Sequence, residues 1–252
     1  MPYYKYYPCN KQSINSYREQ MLFWCKPQYF NDAFDTSERL IKSYPKFLKR
    51  IEWNDALNER LKQHGILSLT KDDKPDNRHL WALYSGNYSG FVLEFDETQL
   101  LEFAKRHCLY ISKVQYNEKP LNLDDSSSSF SIPEHEENEE FTIEDCFGEQ
   151  SEKVLDRLFE LFHLQKDSKV WSIENEYRII IGNRIPRRCK LLKRGYLLNV
   201  EGCIRKVIVG YRMKACYKHR IKRISKRLGI EVFEAEPKII DNNWGVDINN
   251  LQ

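Results

Sequence analysis

Short blocks of apolar residues separated by polar turns run along the first hundred positions, and they predict alternating strands and helices. Residues 3–7 are tyrosine-rich and β-prone, and residues 21–25 form a second apolar run that Pro27 ends. A helix is expected between them, starting near Ser13. A strand, a helix and a strand therefore open the domain.

The same pattern continues through the middle of the chain. It predicts two helical stretches within 36–64, a strand over Ile66–Thr70 after Gly65, a short helix through Leu80, Trp81 and Tyr84 that Asp76 or Asn77 caps, a strand at 91–95, a helix at 98–107 and a strand at 110–116. Strands that alternate with helices in this way indicate a mixed sheet with helices packed on it.

The second half begins with a segment of different composition. Residues 118–145 carry ten acidic side chains against one lysine, and they contain too little apolar surface to offset the entropy of ordering, so we expect a flexible acidic insertion. Beyond it the pattern predicts an amphipathic helix at 149–165, a strand at 170–181, a buried strand at 204–209, a basic helix at 215–228 and a last strand at 230–233. The whole chain, 1–252, is expected to be one domain, with a basic strand-helix-strand segment at 184–235.

Composition narrows the class of protein. With 252 residues, 41% of them apolar, the chain can bury one substantial core. No apolar run is long enough to span a membrane, and the first residues lack the apolar stretch of a signal peptide. Seven cysteines at irregular spacing, without a C-x-x-C pair, favour a reducing cytoplasm over a disulfide framework. The six histidines show no ligand spacing, and no structural zinc or other metal is predicted.

The net charge of +3 conceals a strong asymmetry. Sixteen Lys and Arg residues against one acid occupy positions 184–228. The helix at 215–228 should pack on one face and present cations on the other, namely Lys218, Lys222, Arg223, Lys226 and Arg227. Such a face is often only solvated, but it could also bind nucleic acid, another polyanion or the chain's own acidic insertion.

The sharpest chemical pattern is Glu174-x-Glu176-x-Arg178 in the predicted strand at 170–181. Alternate strand residues share a face, so the three charged groups would stand in a row about 7 Å apart. The row could be a cross-strand ion-pair ladder. Alternatively, Glu176 could stabilise an oxocarbenium-like sugar, with Glu174 acting on an acceptor and Arg178 holding a phosphate or carboxylate.

Three weaker patterns accompany it. Ser68 and Thr70 share one face of a strand, and Trp81 and Tyr84 share one side of a helix, where they could pack in the core or stack on a flat ligand ring. The block Phe30-Asn31-Asp32-Ala33-Phe34-Asp35 reads as a turn with Asp35 capping a helix, or as part of a metal site.

Taken together, several of these blocks resemble a bacterial family catalogued as domain of unknown function 2971. The blocks are Tyr4-Lys5-Tyr6, residues 30–35, Ser68-Leu69-Thr70, residues 81–84 with Gly90-Phe91, and residues 171–178. The chain has Ala33 where that family usually has proline, which loosens the turn and keeps its polar residues.

A second resemblance is to ADP-ribosyltransferases, because Lys5 or Tyr6, Ser68-x-Thr70 and Glu174-x-Glu176 occur in the order of that class. It implies an α+β fold with a mixed, partly split β-sheet and packed helices. It also implies NAD as co-substrate, Glu176 as the catalytic glutamate and Glu174 on the acceptor side. Lys5, Tyr6, Ser68, Thr70, Trp81, Tyr84 and Arg178 would form the nucleotide pocket. The Arg or His expected on the first strand of that class is missing.

Three functions follow as hypotheses. The first is an NAD-consuming enzyme, ADP-ribosyltransferase or NAD glycohydrolase, of a bacterial phage-defence or toxin-like system, with a protein partner in that system. The second is a non-catalytic nucleic-acid-binding or defence-accessory module that uses the basic segment. The third is a metal-dependent nuclease that uses Asp32, Asp35 and Glu176.

Overall fold

The computed structural model describes residues 1–32, 34–35, 62–119, 162–182 and 185–251. Two predicted features lie mostly outside this part: the helices within 36–64, and the acidic insertion with the amphipathic helix that follows it. No helix in the described ranges is long and apolar enough to cross a membrane.

The described part contains five α-helices and thirteen strands. The helices are α1 (Lys11–Arg18), α2 (Arg78–Tyr84), α3 (Glu97–Arg106), α4 (Ser168–Trp171) and α5 (Ala215–Leu228). The strands are β1 (Tyr3–Tyr7), β2 (Met21–Cys25), β3 (Gly65–Lys71), β4 (Phe91–Phe95), β5 (Tyr110–Lys113), β6 (Gln115–Asn117), β7 (Gln165–Asp167), β8 (Glu176–Ile181), β9 (Lys190–Leu192), β10 (Gly195–Asn199), β11 (Ile204–Gly210), β12 (Glu231–Ile240) and β13 (Asn243–Asn250). The fold is therefore α+β, as the sequence predicts.

Within the described residues, eleven of the strands form one mixed sheet. Its main path runs β13-β12-β11-β4-β1-β3-β2-β10-β9, and β8 and β5 extend it from the other edge of β3. The pairs are antiparallel except β11 with β12, which the helix α5 connects. Strands β6 and β7 form a separate parallel pair.

Both faces of the sheet are covered, which explains why β4 is buried at every position. On one face α1, α3 and α5 bury residues such as Tyr17, Leu100 and Ile221 against the odd-numbered side of β4. On the other face α2 buries Leu80 and Trp81 with Val92 and part of β12 and β13. Burial of apolar area on two sides provides the main driving force for this layered arrangement.

The sheet is forked at β3. Along one edge of β3, strand β8 pairs continuously from Gly65 to Thr70. Along the opposite edge, β1 pairs only with Thr70 and Lys71 at one end, and β2 pairs only with Ile66 at the other. The backbone of residues 67–69 therefore faces an opening between β1 and β2.

Two predicted elements differ from the observed ones. The strand predicted at 170–181 begins only at Glu176, because Asp167 caps the short helix α4 and Asn175 adopts a left-handed conformation (φ 43°) that turns the chain into β8. The strand predicted at 110–116 is interrupted at Val114, whose N–H bonds to the carbonyl of Glu176.

The last strand predicted from the sequence is shorter than the observed one, and a further strand follows it. The last strand predicted at 230–233 runs from Glu231 to Ile240, and a further strand, β13, returns antiparallel to it through Asp241 and Asn242. Both of these residues have positive φ, as tight hairpins require. Asn and Asp tolerate this conformation, but apolar periodicity carries no signal for it.

Candidate functional site

A cavity of about 330 Å³ opens at the fork of the sheet. Its walls come from β1, β2 and β3, the first residue of β8, the helix α2 and the segment around Phe30 and Asp35. Of the residues predicted to form a pocket, it is lined by Lys5, Tyr6, Ser68, Thr70, Tyr84, Glu174 and Glu176. The fork thus brings together residues that lie up to 171 positions apart, from Lys5 to Glu176.

Lys5 lies in the fork itself. Its Nζ donates to the carbonyl of Ser68, 2.8 Å away, a group that has no strand partner because β1 and β3 separate there. Burial lowers the pKa of Lys5, and the nearby carboxylate of Glu176 opposes that shift. Lys5 therefore places its amino group at the cavity and satisfies a backbone acceptor that the fork would otherwise leave unpaired.

Arg178 occupies the centre of a buried charge cluster beneath the cavity, and it is fully buried. All five of its N–H groups have acceptors: Nε and Nη2 donate to Glu176, Nη1 and Nη2 donate to the two oxygens of Asp35, and Nη1 also donates to the carbonyl of His163. Burial alone would lower its pKa, but Asp35 and Glu176 raise it above the ordinary value.

Lys166 lies among the three carboxylates of the cluster. Its Nζ is 2.7 Å from Glu174, 2.8 Å from Glu176 and 3.5 Å from Asp35. Burial acts against its positive charge, but Glu176 and Asp35 raise its pKa above the ordinary value. The lysine is thus a fixed cation that joins Glu174 to the Arg178 pair.

Glu176 is an anion at neutral pH. Its burial acts to raise the pKa, but Arg178 and Lys166 outweigh burial and lower the pKa to about 2. A carboxylate in this state cannot donate a proton near neutral pH, whereas it can stabilise a positive charge that develops beside it.

Glu174 does not stand in a strand row with Glu176 and Arg178, as the sequence suggested. It ends a 3₁₀ turn, and Asn175 reverses the chain, so only Glu176 and Arg178 share a face of β8. Its carboxylate accepts from the hydroxyl of Tyr84 at 2.5 Å and from Lys166. The Tyr84 pKa is raised, by burial first and then by Glu174, so the phenol stays a proton donor.

Two residues predicted for the pocket are located behind it. Trp81 is fully buried, stacks on Tyr88 at 4.9 Å and donates from Nε1 to the carbonyl of Pro75, so it packs in the core and does not line the cavity. Arg178 has no N–H left for a ligand phosphate, so the role that the resemblance implied for it does not fit its position.

The hydroxyl residues of β3 have separate roles. Thr70 donates to the backbone carbonyl of Glu174 at 3.1 Å, which ties the 3₁₀ turn to the strand. Ser68 lines the cavity and presents its carbonyl to Lys5. Tyr6 contacts Trp81 edge to face at 5.5 Å and contributes its ring to the cavity wall.

Two members of the cluster lay outside the predicted set of pocket residues. Lys166 lies in a short polar segment with no motif, and Asp35 was interpreted as a helix cap or a metal ligand. Asp35 pairs with Arg178, and the helix that it was predicted to cap lies outside the described residues. Asp32 accepts from the N–H of Phe34 within the turn. Phe30 and Trp171 place their rings against the cations Arg178 and Lys166, a contact that sequence spacing does not predict.

A cation already occupies the position between the carboxylates of this cluster. The ammonium of Lys166 stands between the carboxylates of Asp35, Glu174 and Glu176. Among the described residues, no group of three or more His, Cys, Asp or Glu side chains is arranged to hold a metal ion. The nuclease hypothesis therefore gains no support from Asp32, Asp35 and Glu176.

The basic segment does not fold into one continuous face. Its β9–β10 part lies at one edge of the sheet, whereas β11 and α5 lie near the other edge. Several of its cations have partners: Lys218 contacts Glu234, Arg205 and Lys206 pair with Glu94, and Arg227 donates to the carbonyl of Arg18. On α5, Arg223, Lys226 and Arg227 are exposed, while Lys218 and Lys222 are half-buried.

These features define an α+β protein with a forked sheet, and a half-enclosed cavity at the fork above a buried cluster of carboxylates and cations. Residues 80–179 match the model of a family described as Protein of unknown function (DUF2971). The match covers 100 of the 252 residues and includes Tyr84, Glu174, Glu176 and Arg178. No curated protein and no solved structure matches the chain.

Proposed function

We propose that the cavity binds NAD and that the protein cleaves its nicotinamide–ribose bond, as an ADP-ribosyltransferase or NAD glycohydrolase. The observation that carries the proposal is the ionised carboxylate of Glu176, which lines the cavity together with Glu174 and the rings of Phe30, Tyr84 and Trp171. Lys5 lines the same cavity. Arg194 contacts the ring of Tyr29, another lining residue.

These groups can bind the parts of NAD. A nicotinamide ring carries a positive charge and a flat surface, and carboxylates and the rings of Tyr84, Phe30 and Trp171 line the cavity. Phosphates are attracted to Lys and Arg, and we assign them to Lys5 and Arg194.

The chemistry follows from the ionisation of Glu176. When the bond between the ribose C1′ and the nicotinamide nitrogen breaks, its electron pair leaves with the ring, and positive charge develops on the ribose. A carboxylate held ionised by Arg178 and Lys166 in a largely buried site lowers the energy of that charge without having to reorganise. Water or an acceptor nucleophile then bonds to C1′ and loses its proton.

Glu174 is the group that acts on the attacking nucleophile. Tyr84 donates to its Oε1 and Lys166 donates to its Oε2, and each oxygen has a second lone pair for a further hydrogen bond. It can therefore accept a hydrogen bond from the nucleophile and orient it toward C1′. These are the roles that the resemblance to ADP-ribosyltransferases implies for the two glutamates.

The first test compares Glu176→Gln with Glu94→Gln. Glu94 is a second buried carboxylate of the same sheet, it pairs with Arg205, and it does not line the cavity. NAD binding is measured by calorimetry and nicotinamide release by chromatography, with protein, RNA and DNA acceptors supplied. We expect Glu176→Gln to lose roughly 100-fold or more in turnover. Glu94→Gln should retain turnover within a few-fold.

The stability of both variants must be measured alongside, because each removes the charge of a buried carboxylate that is paired with a cation. The melting temperature of both is expected to fall. If Glu176→Gln loses turnover and Glu94→Gln retains it, the loss reports on the chemical step. Absence of NAD binding and NAD consumption by the wild-type protein would overturn the proposal and leave the cluster a structural ion-pair network.

A second comparison separates bond cleavage from transfer. Glu174→Gln should reduce transfer to an acceptor more than NAD hydrolysis, because Glu174 acts on the nucleophile and water is abundant. Equal loss of both activities in Glu174→Gln would assign Glu174 to binding or positioning of NAD.

A further inference from the structure

Among the described residues the main sheet has three outer edges, which differ in their protection against pairing with another strand. β9 has three residues, begins with Lys190 and is followed by Lys193, and β5 has four residues and ends in Lys113. A short strand and lysine side chains commonly prevent an edge strand from pairing with a strand of another chain. β13 has neither, since it has eight residues and contains no Lys, Arg or Pro.

The edge of β13 is also regular. It pairs with β12 in unbroken register over eight residue pairs, from Asn243 to Asn250, without a bulge. The N–H of Leu251 bonds to the carbonyl of Val232, so in this alternating ladder the odd-numbered residues of β13 face β12. The backbone N–H and C=O groups of Trp244, Val246, Ile248 and Asn250 therefore point outward, where no described strand receives them.

An exposed apolar side chain lies at the same edge. Trp244 is 75% exposed, and Ile239, its partner on β12, is 58% exposed. Trp244 shares a face with Val246 and Ile248, which pack against Trp81 and its neighbours. The apolar face of the hairpin thus continues to Trp244, which stays largely exposed although the guanidinium of Arg78 lies over its ring at 5.9 Å.

We infer that β13 pairs antiparallel with β13 of a second copy of this chain, around a twofold axis at Val246. Outward-facing residues then pair with outward-facing residues, so the hydrogen-bond alternation is preserved. In this register Trp244 lies across from Ile248 of the second copy, which extends the apolar face over both tryptophans.

Charge favours this register over the one with its axis at Asp247. With the axis at Val246, Asp247 lies opposite Gly245 of the second copy. Within that copy, Gly245 pairs with Lys238 of β12. The ammonium of Lys238 already lies 2.7 Å from the Asp247 carboxylate of its own chain. With the axis at Asp247, the two aspartates would face each other, which is unfavourable. The edge is thus complementary to a second copy of itself.

The contact is small, so we expect a weak dimer, with dissociation in the range of roughly 10–100 μM. Sedimentation equilibrium of the full chain over concentrations on both sides of that range should show the average mass rising from monomer toward dimer. Trp244→Lys should remain monomeric. Leu191→Lys is the matched control, since Leu191 is 61% exposed on β9 at another edge, and it should dimerise like the wild type.

Cysteine crosslinking tests the register itself. Paired Cα atoms in the hydrogen-bonded positions of an antiparallel ladder lie about 5.5 Å apart, within disulfide range, so Trp244→Cys with Ile248→Cys should crosslink two copies on mild oxidation. Trp244→Cys alone should not exceed the wild-type background, because the two copies of residue 244 are about 13 Å apart. A wild type that stays monomeric, or equal crosslinking by single and double variants, would overturn the inference.

Discussion

Arg178 offers the most decisive test of the physical reasoning, since its five N–H groups all have acceptors and its side chain is fully buried. The substitution Arg178→Met keeps most of the side-chain volume and removes the charge. It leaves Asp35 and Glu176 buried, with Lys166 as their remaining cation at 3.5 Å and 2.8 Å. One cation cannot replace two, so we expect a large loss of stability.

The magnitude can be worked from Glu176. Its pKa falls from the ordinary 4.5 to about 2, and one unit corresponds to about 1.4 kcal/mol, so its charged form is stabilised by about 3 kcal/mol in the folded protein. Breaking a buried pair by removing one partner costs about 3–5 kcal/mol. At about 2–4 °C per kcal/mol for a chain of this size, the melting temperature should drop by roughly 6–20 °C.

The pH dependence has a definite sign. A carboxyl whose pKa is lowered on folding contributes stability above its unfolded pKa, and this contribution is lost as the pH falls through the folded pKa. For Glu176 that window runs from about 4.5 down to about 2. In Arg178→Met the carboxyl of Glu176 loses one of its two cations and protonates more readily, so the difference between variant and wild type should narrow as the pH falls through this window.

Urea denaturation at several pH values measures both effects. Arg205→Met is the matched control, because Arg205 also pairs with a buried glutamate but is 51% exposed at its side chain, and it should cost about 1 kcal/mol or less. The reasoning is refuted if Arg178→Met costs no more than Arg205→Met at neutral pH.

Further outcomes are expected from three other changes. Gly90→Ala should lower the melting temperature by several degrees, because the added Cβ would stand 2.0 Å from the carbonyl oxygen of Tyr7, whereas Gly182→Ala meets nothing within 4 Å and should be nearly neutral in the same thermal scan. Lys5→Met should weaken NAD binding in calorimetry by roughly tenfold, and it should weaken binding of nicotinamide alone far less, because Lys5 is proposed to act on the phosphates; equal loss for both ligands would contradict that role. The final change replaces four cations of α5 with glutamine, at Lys222, Arg223, Lys226 and Arg227. If this face binds nucleic acid, the change should weaken binding and flatten its salt dependence in a filter or anisotropy assay, and unchanged binding would assign these residues to solubility.

Local elements are predictable from the sequence wherever apolar periodicity and capping residues agree. β1, β2, β4 and α5 begin and end at or within a residue of their predicted bounds, and Asn77 caps α2 as one of the two predicted candidates. These elements depend on contacts between neighbours in the chain, which a pattern of residues encodes directly.

The site depends on contacts between distant parts of the chain, which local patterns do not predict. The fork in β3, the bond from Lys5 to Ser68 and the pairing of Asp35 with Arg178 join residues separated by 63 and 143 positions. The sequence pointed to Glu176 and Arg178, but its strand period placed Glu174 in the same row, and Asn175 turned that residue toward Tyr84. Lys166 carries no motif at all. A buried charge is tolerated only where partners from distant elements neutralise it. These partners meet only in the folded protein, so no local pattern of residues predicts them.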